Sequence, residues 1–397
     1  MNTSKILSLE QAQSLALSHQ GFLNPVSEKS ITTTLQTIEN LGYVQIDTLA
    51  VIARAHHHTL WSRQPRYKEN ELNQLLEQKQ IFEYWSHAAS YLPMSDYRFS
   101  LPQKKAYESG KSHWFAQDKK MKKFVLDRIK AEGPLQSKDF EFKREGPGNW
   151  YEWKPAKRAL EQLFMEGQLM VEKRQGFQKV YNLTERILPS GISTSVPTEK
   201  EMAEYLIRKT LQAHGIVTES EITYLRNPFK TAVSKALQYF LKNGVLSEVK
   251  IEGLEKPYYM DANSKLNIRT INGGTHFLSP FDNLVIQRKR IQQLFGFDYM
   301  IECYLPESKR KYGYFTLPVL YNNGFVARFD PKADRATKTF YIKSLHFEDT
   351  FKPSDAFNQS FALKLKQFAA FNGCDKIVIE KAGTRWKKNI TAAIKAL

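Results

Sequence analysis

The sequence predicts an α+β protein in which repeated units of two helices and a hairpin precede a β-rich C-terminal domain. Two segments, which begin at Ala159 and Ala236, superpose without a gap. Past about residue 265 the helical periodicity gives way to short aromatic-rich segments that are typical of strands. Because a domain usually holds ~100–200 residues, this chain of 397 residues has room for several such modules.

The two superposed segments are ALEQLFMEGQLMVEKRQGFQKVYNL and ALQYFLKNGVLSEVKIEGLEKPYYM. Each predicts an amphipathic helix followed by two strands. Gly167 and Gly244 fall where a helix C-cap needs a left-handed residue, and Gly176 and Gly253 mark the turns between the strands. Each segment is therefore predicted to be a helix that leads into a hairpin.

A further amphipathic helix precedes each copy: FVLDRIKAEG with the link GPLQSKDF, and AEYLIRKTLQAHG with the link GIVTESEI. Helix, short link, helix and hairpin is the order of a winged helix-turn-helix. Its last helix can enter the major groove, and its hairpin can touch the DNA backbone. A winged helix that binds only other proteins is the alternative.

A weaker third copy is predicted at LQTIENLGYVQIDTL, with Gly42 aligned to the helix-ending glycines of the other copies. This alignment predicts that Gln45, Ile46 and Asp47 lie on the first strand of a hairpin. Since side chains alternate along a strand, Val44 and Ile46 would face the core, and Gln45 and Asp47 would project together from the other face.

The C-terminal part predicts strands at IECYLP, YGYFTLPVLY, GFVARFD and TFYIKSLHF, a helix from Ser354 to Phe371 and a last strand at KIVIE. Its basic turns, ESKRKYGY and DPKADRATK, are either phosphate contacts or solvated loops. We predict four domains: a first winged helix with the site (1–115), a second (116–195), a third (196–264) and a β-rich domain with a helical tail (265–397).

The charge balance favours a polyanionic partner. The chain has 58 Lys and Arg against 41 Asp and Glu, which gives a net charge of +17 and a pI near 9.5. Nucleic acid is the first candidate, because cationic side chains release counterions from phosphates. A surface that is merely basic is the alternative.

Several classes of protein are disfavoured by missing motifs. The two cysteines, Cys303 and Cys374, form no CxxC pair, so neither a disulfide framework nor a thiolate zinc site is expected. No apolar run approaches the ~20 residues of a membrane span, and the N-terminus lacks the pattern of a signal peptide, so we expect a cytoplasmic protein. Phosphate-loop, HExxH and GxSxG motifs are missing, and no cofactor or metal is predicted.

The most polar segment is VQIDTLAVIARAHHHTLWSRQPRY. On a helix, neighbouring side chains point about 100° apart, and on a strand only alternate ones share a face, so a site of three imidazoles is disfavoured. Structural histidines and contacts to phosphate or bases remain open, and arginines here can bind the DNA backbone. The candidate DNA-binding residues are Arg54, His56, His57, His58 and Arg63.

Gln45 and Asp47 are the candidate catalytic pair, although a hydrogen-bonded pair with only a structural role is the alternative. One carboxylate suffices for hydrolysis of a nucleoside's glycosidic bond if the base already carries a positive charge. The ionised Asp47 would stabilise the developing oxocarbenium ion or activate water, and the amide of Gln45 would position that water.

These residues resemble those of a known family, the winged-helix DNA glycosylases of the YcaQ and AlkZ group. GYVQIDTL followed by RAHHHTLWSR is similar to the family's catalytic region, whose motif is Gln, an apolar residue, then Gln or Asp. Gln45, Ile46 and Asp47 match the form that ends in Asp, which is similar to the YcaQ branch. FEYWSHAASYLP (82–93) and LSPFDNLVIQRKR (278–290) also resemble family segments, so the likeness covers nearly the whole chain.

The resemblance implies three winged-helix units in a C-shape followed by a C-terminal β-barrel. It implies a monofunctional DNA glycosylase that excises N7-alkylguanine and unhooks interstrand crosslinks, with Gln45 and Asp47 as catalytic residues. The expected partner is double-stranded DNA that carries alkylated or crosslinked bases.

Two other functions remain open. A non-catalytic winged-helix transcription regulator would bind operator DNA as a symmetric dimer, whereas three unequal units in one chain favour a monomer on a single site. An RNA-binding factor fits the charge, but the chain lacks the aromatic motif of an RNA-recognition sheet.

Overall fold

The computed structural model describes residues 5–23, 30–111, 116–140, 155–266 and 274–396. The described part of the chain begins with β1 (Lys5–Leu7) and α1 (Leu9–His19), and α1 starts at a capping box formed by Ser8 and Gln11. The predicted boundary between the first two domains lies between residues 115 and 116, and residues 112–115 before it are outside the described residues.

The first unit contains one short strand, four helices and a hairpin. Its elements are α2 (Ile31–Leu41), β2 (Val44–Gln45), α3 (Ala55–Arg63), α4 (Asn70–Glu77), β3 (Ile81–Trp85), β4 (Ala89–Pro93) and α5 (Leu101–Glu108). The sheet has the order β2-β4-β3, and β4 is antiparallel to both neighbours.

The second unit follows the same plan, with a sheet of the order β5-β7-β6. Its elements are α6 (Lys119–Glu132), β5 (Leu135–Gln136), α7 (Pro155–Met165), β6 (Leu169–Gln175), β7 (Gln178–Leu183) and α8 (Thr184–Ile187). The hairpin turns at Gly176, whose φ is 60°, so the predicted turn is present.

The third unit contains α9 (Glu199–His214), β8 (Ile216–Val217), α10 (Glu219–Ile222), α11 (Lys230–Lys242), β9 (Leu246–Ile251) and β10 (Tyr258–Asp261). Its sheet has the order β1-β9-β10-β8. The N-terminal strand therefore belongs to this sheet, because β1 runs parallel to β9 and Lys5 is paired with Val249.

The predicted position of Gln45 on a hairpin is wrong. Gln45 lies on the short strand β2, which pairs with β4, and the hairpin of this unit is formed by β3 and β4. The segment α2–Gly42–β2 therefore corresponds to α6–Gly133–β5 and α9–Gly215–β8, one helix earlier than the sequence repeat suggested.

The reason for this error is Lys79, the residue after the C-cap of α4. Lys79 has a φ of 58° and takes the left-handed position that Gly167 and Gly244 hold in the other units. After it, the N–H of Gln80 donates to the carbonyl of Leu75 over 2.9 Å, and equivalent bonds of 2.9 Å follow both glycines. A lysine at this position hides the repeat, because left-handed residues are usually glycine or asparagine.

The C-terminal domain contains β11 (Thr275–Phe277), α12 (Arg288–Phe295), β12 (Leu317–Tyr321), β13 (Gly324–Asp334), β14 (Thr339–Phe347), α13 (Asp355–Phe371), β15 (Lys376–Lys381) and α14 (Thr384–Ala396). The helix predicted from Ser354 to Phe371 is confirmed, with Ser354 as its N-cap. The segment IECYLP was predicted as a strand and is irregular.

The expected β-barrel is not formed by the described residues of this domain. The sheet has five strands in the order β11-β12-β13-β14-β15, so β11 and β15 are edges and the sheet is open. Helix α13 packs on it through buried aromatic residues, including Phe361 and Phe368. Among the described helices, none is both long and apolar enough to cross a bilayer.

One hydrophobic core joins the first unit to the C-terminal domain. Trp61 of α3 stacks on Phe371 of α13 with ring centroids 5.1 Å apart, and it also packs against Phe368 at 5.0 Å. Burial of aromatic surface of this size stabilises a fixed contact. The residues after β2 are therefore held against the C-terminal sheet.

Candidate active site

Gln45 is an almost buried amide at the end of β2, and 8% of its surface is exposed. Its Oε1 accepts a hydrogen bond from Nε2 of His87 over 3.1 Å. Burial, with a smaller contribution from Arg226, lowers the pKa of His87 to about 4, so the ring is neutral at pH 7. Since a carbonyl oxygen only accepts, the single ring proton lies on Nε2, and the Gln45 amide presents its N–H groups elsewhere.

Two neighbouring elements hold His87 in place. His87 lies in the turn between β3 and β4, and its ring meets that of Tyr43 edge-on at 5.0 Å. In the third unit, Nη2 of Arg226 donates to Oγ of the adjacent Ser86 over 2.7 Å. The position of the Gln45 amide thus depends on contacts between the first and third units.

Asp47 is a half-buried carboxylate two residues after Gln45. Its Oδ1 accepts the N–H of Leu49 over 2.8 Å, which is the geometry of an Asx turn. Burial raises the pKa of Asp47, while the backbone N–H groups of Leu49 and Thr48 oppose that rise by stabilising the anion. The result is a carboxylate with one oxygen fixed by the backbone and with a raised pKa.

Asp47 lies close to the irregular segment that follows α12. Burial raises the pKa of the Cys303 thiol, and the charge of Asp47 is the second cause of that rise. Burial also raises the pKa of Tyr304, with smaller contributions from Cys303 and then from Asp47. Tyr304 is 74% exposed. Gln45 and Asp47 therefore have different surroundings. Since β2 ends at Gln45, the prediction that Ile46 and Asp47 continue this strand, with Asp47 on the same face as Gln45, is wrong.

The three histidines of α3 lie in three different environments. His58 is fully buried, and its Nε2 bonds to the carbonyl of Phe277 over 2.9 Å. His57 is half-buried, with its Nδ1 2.7 Å from the hydroxyl of Tyr67. His56 is buried and stacks on Phe177 with ring centroids 6.2 Å apart.

Desolvation governs the charge of these histidines. Burial is the first cause that lowers their pKa values, to about 3 for His57, to about 4 for His58 and well below the usual value for His56. All three rings are therefore neutral at pH 7 and add no positive charge to the site. In the part of the chain that the structure describes, no three His, Cys, Asp or Glu side chains are grouped to hold a metal ion.

Arg63 is an interior residue with 4% of its surface exposed. Its guanidinium binds both carboxylate oxygens of Asp282, at 2.7 and 3.0 Å, and donates to the carbonyl and side chain of Gln20. All its N–H donors are used in these bonds and in bonds to α3. Such a buried bidentate pair indicates a structural role rather than contact with DNA.

Arg54 is half-exposed and stands at the start of α3. Its guanidinium carbon lies 4.2 Å above the ring of Phe177, which belongs to the turn between β6 and β7. Arg174 of the same hairpin covers that ring at 4.5 Å and forms a bidentate pair with Glu83 of β3. The second hairpin is therefore packed against the first unit.

The sequence interpretation missed His87, Arg226, Cys303 and Tyr304 as neighbours of the site. His87 lies within FEYWSHAASYLP, a segment noted only for its resemblance. Its contact with Gln45 requires the pairing of β2 with β4, and the wrong placement of β2 on the hairpin concealed that pairing.

The comparisons with known proteins agree with this architecture. A family model described as "DNA glycosylase AlkZ-like" matches residues 38–371. The solved structure of Streptomyces sahachiroi DNA glycosylase AlkZ has a TM-score of 0.62 at 15% sequence identity, and the match covers 95% of this chain and 100% of that one. At this identity the structural match shows a shared fold.

Proposed function

We propose a substrate for this chain, which belongs to the AlkZ-like DNA glycosylase family and is a DNA glycosylase. It hydrolyses the N-glycosidic bond of N7-alkylguanine in duplex DNA and unhooks interstrand crosslinks. This choice of lesion is supported by two side chains that lie two residues apart: a backbone-anchored carboxylate, Asp47, and an amide, Gln45, that neutral His87 orients. This set provides negative charge and a positioned donor, but no acid.

Asp47 faces the sugar in this mechanism. As the bond between C1′ and N9 lengthens, positive charge develops on C1′ and the ring oxygen, and the carboxylate stabilises it. Water then adds at C1′, and its proton passes to Asp47 and on to solvent. The N–H groups of Gln45 hold that water, because its Oε1 is occupied by His87.

The chemistry of the leaving group selects the lesion. The electron pair of the broken bond goes to N9, and in an N7-alkylated guanine it neutralises a positive charge that the purine already carries. A neutral base such as uracil would leave as an anion and would need a proton or strong contacts from the protein. His87 cannot supply that proton in its neutral form, because its N–H is used for Gln45.

DNA binding in this proposal relies on the net charge of +17 and on side chains with exposed surface. Of the five predicted DNA contacts, Arg54 and His57 are partly exposed and remain candidates, the side chain of His57 with 13% of its surface, whereas His56, His58 and Arg63 lie in the interior. We interpret the three units as winged helices that act as a monomer on one damaged duplex. Their C-shaped arrangement and the bounds of the four domains stay predictions.

The test is single-turnover excision by the full chain from three otherwise identical duplexes, which carry N7-methylguanine, a nitrogen-mustard crosslink or uracil. We expect release of the first two lesions, with slow or undetectable release of uracil. Release of uracil at the same rate would contradict the proposed dependence on a cationic leaving group.

A pair of aspartate variants connects this activity to the site. Asp47→Asn should slow excision by ~10²–10⁴-fold with little change in duplex affinity, since the charge acts on the transition state. Asp261→Asn is the matched control, because Asp261 is exposed and its Oδ1 also accepts a backbone N–H two residues on, from Asn263, over 2.8 Å. Equal rates for the two variants would show that Asp47 is not catalytic.

The alternative of a non-catalytic regulator predicts a different result in the same experiment. Such a protein would leave every duplex intact and would bind one undamaged sequence far more tightly than others.

A further inference from the structure

An open cleft of about 1030 Å³ lies on the C-terminal domain beside the segment that follows Asp47. Ala50 and Val51 form part of its wall, and the carbonyl of Val51 accepts a hydrogen bond from the N–H of Ala333 over 3.1 Å. The cleft is therefore attached directly to the candidate catalytic segment. The proposed mechanism makes no use of it.

The surface charge of this cleft is positive. Its lining contains five cationic residues, Arg310, Lys311, Lys332, Lys343 and Lys381, and three carboxylates. Two of those carboxylates have partners within the protein: Asp330 accepts the N–H groups of Tyr314 and Phe315, and Glu380 is paired with Lys343. The remaining charge favours an anionic occupant.

Two tyrosines of one wall each lie beside a cationic residue. The guanidinium of Arg310 lies 4.9 Å from the ring centre of Tyr314, and the ammonium of Lys311 lies 4.7 Å from that of Tyr312. Tyr314 is 37% exposed. Stacking rings with adjacent positive charges are the feature by which proteins hold unpaired nucleotides, since every base has a π-face.

Tyr304 lies near both the candidate catalytic carboxylate of Asp47 and Tyr314 of this wall. Its hydroxyl is close enough to both Asp47 and Tyr314 that each raises its pKa, in addition to burial and Cys303. With 74% of its surface exposed, Tyr304 is available to a ligand that passes from Asp47 into the cleft.

We propose that this cleft binds a short stretch of single-stranded DNA, namely the strand that has become unpaired next to the lesion. The proposal rests on the proposed function for the origin of that strand. Unpaired bases are required because the bases of an intact duplex are stacked on one another and cannot stack on Tyr314. Tyr312 is not needed for stacking, since Arg328 lies 4.3 Å from its ring centre in addition to Lys311. The volume matches the upper range of small-molecule sites, ~300–1,000 Å³, which suits a few nucleotides rather than a duplex.

The test measures fluorescence anisotropy of a labelled, undamaged oligothymidylate of about 12 nucleotides with the full chain. Tyr314→Leu should weaken binding by about tenfold, which is the loss expected for one stacked base at ~1–3 kcal/mol, and Tyr314→Phe should bind as the wild type does. Wild-type affinity in Tyr314→Leu, or an equal loss in Tyr314→Phe, would overturn the proposal.

A pair of charge variants gives a second readout that does not depend on the tyrosine. Lys332→Gln combined with Lys381→Gln changes two exposed residues of the cleft, and Lys111→Gln combined with Lys123→Gln changes two exposed residues elsewhere. The cleft pair should reduce the slope of log affinity against log salt by roughly 1.4, at ~0.7 for each phosphate contact on a single strand. An equal reduction in the distant pair would overturn the proposal.

An undamaged duplex and the excision assay separate this proposal from the proposed function. The cleft variants should lose more affinity for the oligothymidylate than for the duplex, and an equal loss on both would identify a general basic surface instead. If the wild type releases no N7-methylguanine, the proposed function fails, whereas unaltered binding of the oligothymidylate by the cleft variants refutes the cleft alone.

Discussion

His87 fixes the orientation of the Gln45 amide, because its single ring proton is donated to Oε1 of that amide. The interaction joins the turn of the first hairpin to the short strand that leads to Asp47. It makes His87 a positioning residue for the proposed reaction rather than a catalytic one.

Replacement of this ring should therefore affect chemistry more than binding. His87→Phe keeps an aromatic ring but removes the N–H, so the amide of Gln45 can rotate. We expect single-turnover excision to slow by about tenfold, which is less than the ~10²–10⁴-fold loss of a residue that itself transfers a proton. His87→Gln can place an amide N–H where Nε2 lies and should recover most of the rate. A similar loss in both variants would indicate damage to packing instead of positioning.

The salt dependence of binding tests the role of Arg54. Arg54 is partly exposed, and its guanidinium lies above Phe177 with Nε buried, so a phosphate contact would use the terminal N–H groups. Arg54→Gln should reduce the slope of log affinity for undamaged duplex against log salt by about 0.9, the value for one phosphate contact. Lys123→Gln, an exposed residue paired with Asp127, is the control and should leave the slope as it is. An unchanged slope in Arg54→Gln would exclude that contact.

Lys79 offers a test of backbone strain. A left-handed conformation destabilises the folded state by roughly 1–2 kcal/mol when the residue has a Cβ. Replacement by glycine removes this strain, but it also raises the entropy of the unfolded chain, which cancels part of the gain in stability. Lys79→Gly should therefore raise the free energy of unfolding by about 0.5 kcal/mol, after loss of the exposed bond from its Nζ to the carbonyl of Arg186.

Gly244→Ala is the converse variant, measured in the same urea titration. Its φ is +66° and no atom lies within 4 Å of the added Cβ, so backbone strain alone should lower the stability, by about 1 kcal/mol. A destabilised Lys79→Gly would show that the Lys79 side chain contributes more than its strain removes.

The burial of Lys104 leads us to predict that the stability of the fold depends on pH. It is 3% exposed, its Nζ has no hydrogen-bond partner, and the ammonium lies 3.8 Å from the ring centre of Tyr97. Burial lowers its pKa from 10.5 to about 7. Between these values the unfolded chain binds more protons than the folded one, so stability rises with pH from about 7 towards 10.5 and is lowest below 7.

Unfolding by urea at several pH values within this window measures the effect. Lys104→Met should remove the rise and stabilise the protein at pH 7 by an amount on the order of a few kcal/mol. The neighbouring Lys105, which is exposed and paired with Glu108, provides the control variant Lys105→Met. A wild-type stability that falls from pH 7 to pH 10 would contradict the assignment.

The sequence predicted the second and third units well because glycine marks both of their helix ends. Gly167 and Gly244 identify the left-handed positions, and the alternation after each one identifies the strands. In the first unit Lys79 takes that position, and the only local signal points to Gly42, which ends a different helix. Tertiary packing, rather than a local preference, fixes the backbone there.

The candidate site was only partly accessible to sequence reasoning. Gln45 and Asp47 were selected from the motif, but burial decides which of the nearby basic residues can reach DNA, and periodicity gives no measure of it for α3. Arg63 has the composition of a phosphate ligand and is instead paired with Asp282, which lies 219 residues away. Partners at such a separation are set by the packing of domains.

The parallel pairing of β1 with β9 joins a strand that is made early in synthesis to one that is made much later. Lys5 leaves the ribosome 244 residues before its partner Val249, as the difference of the two numbers gives. At ~5–20 residues per second, roughly 12 to 50 s pass between the synthesis of β1 and that of its partner strand β9. The nascent chain therefore carries an unpaired β1 while the first and second units are made, and the sheet of the third unit is completed when this early strand is added at its edge.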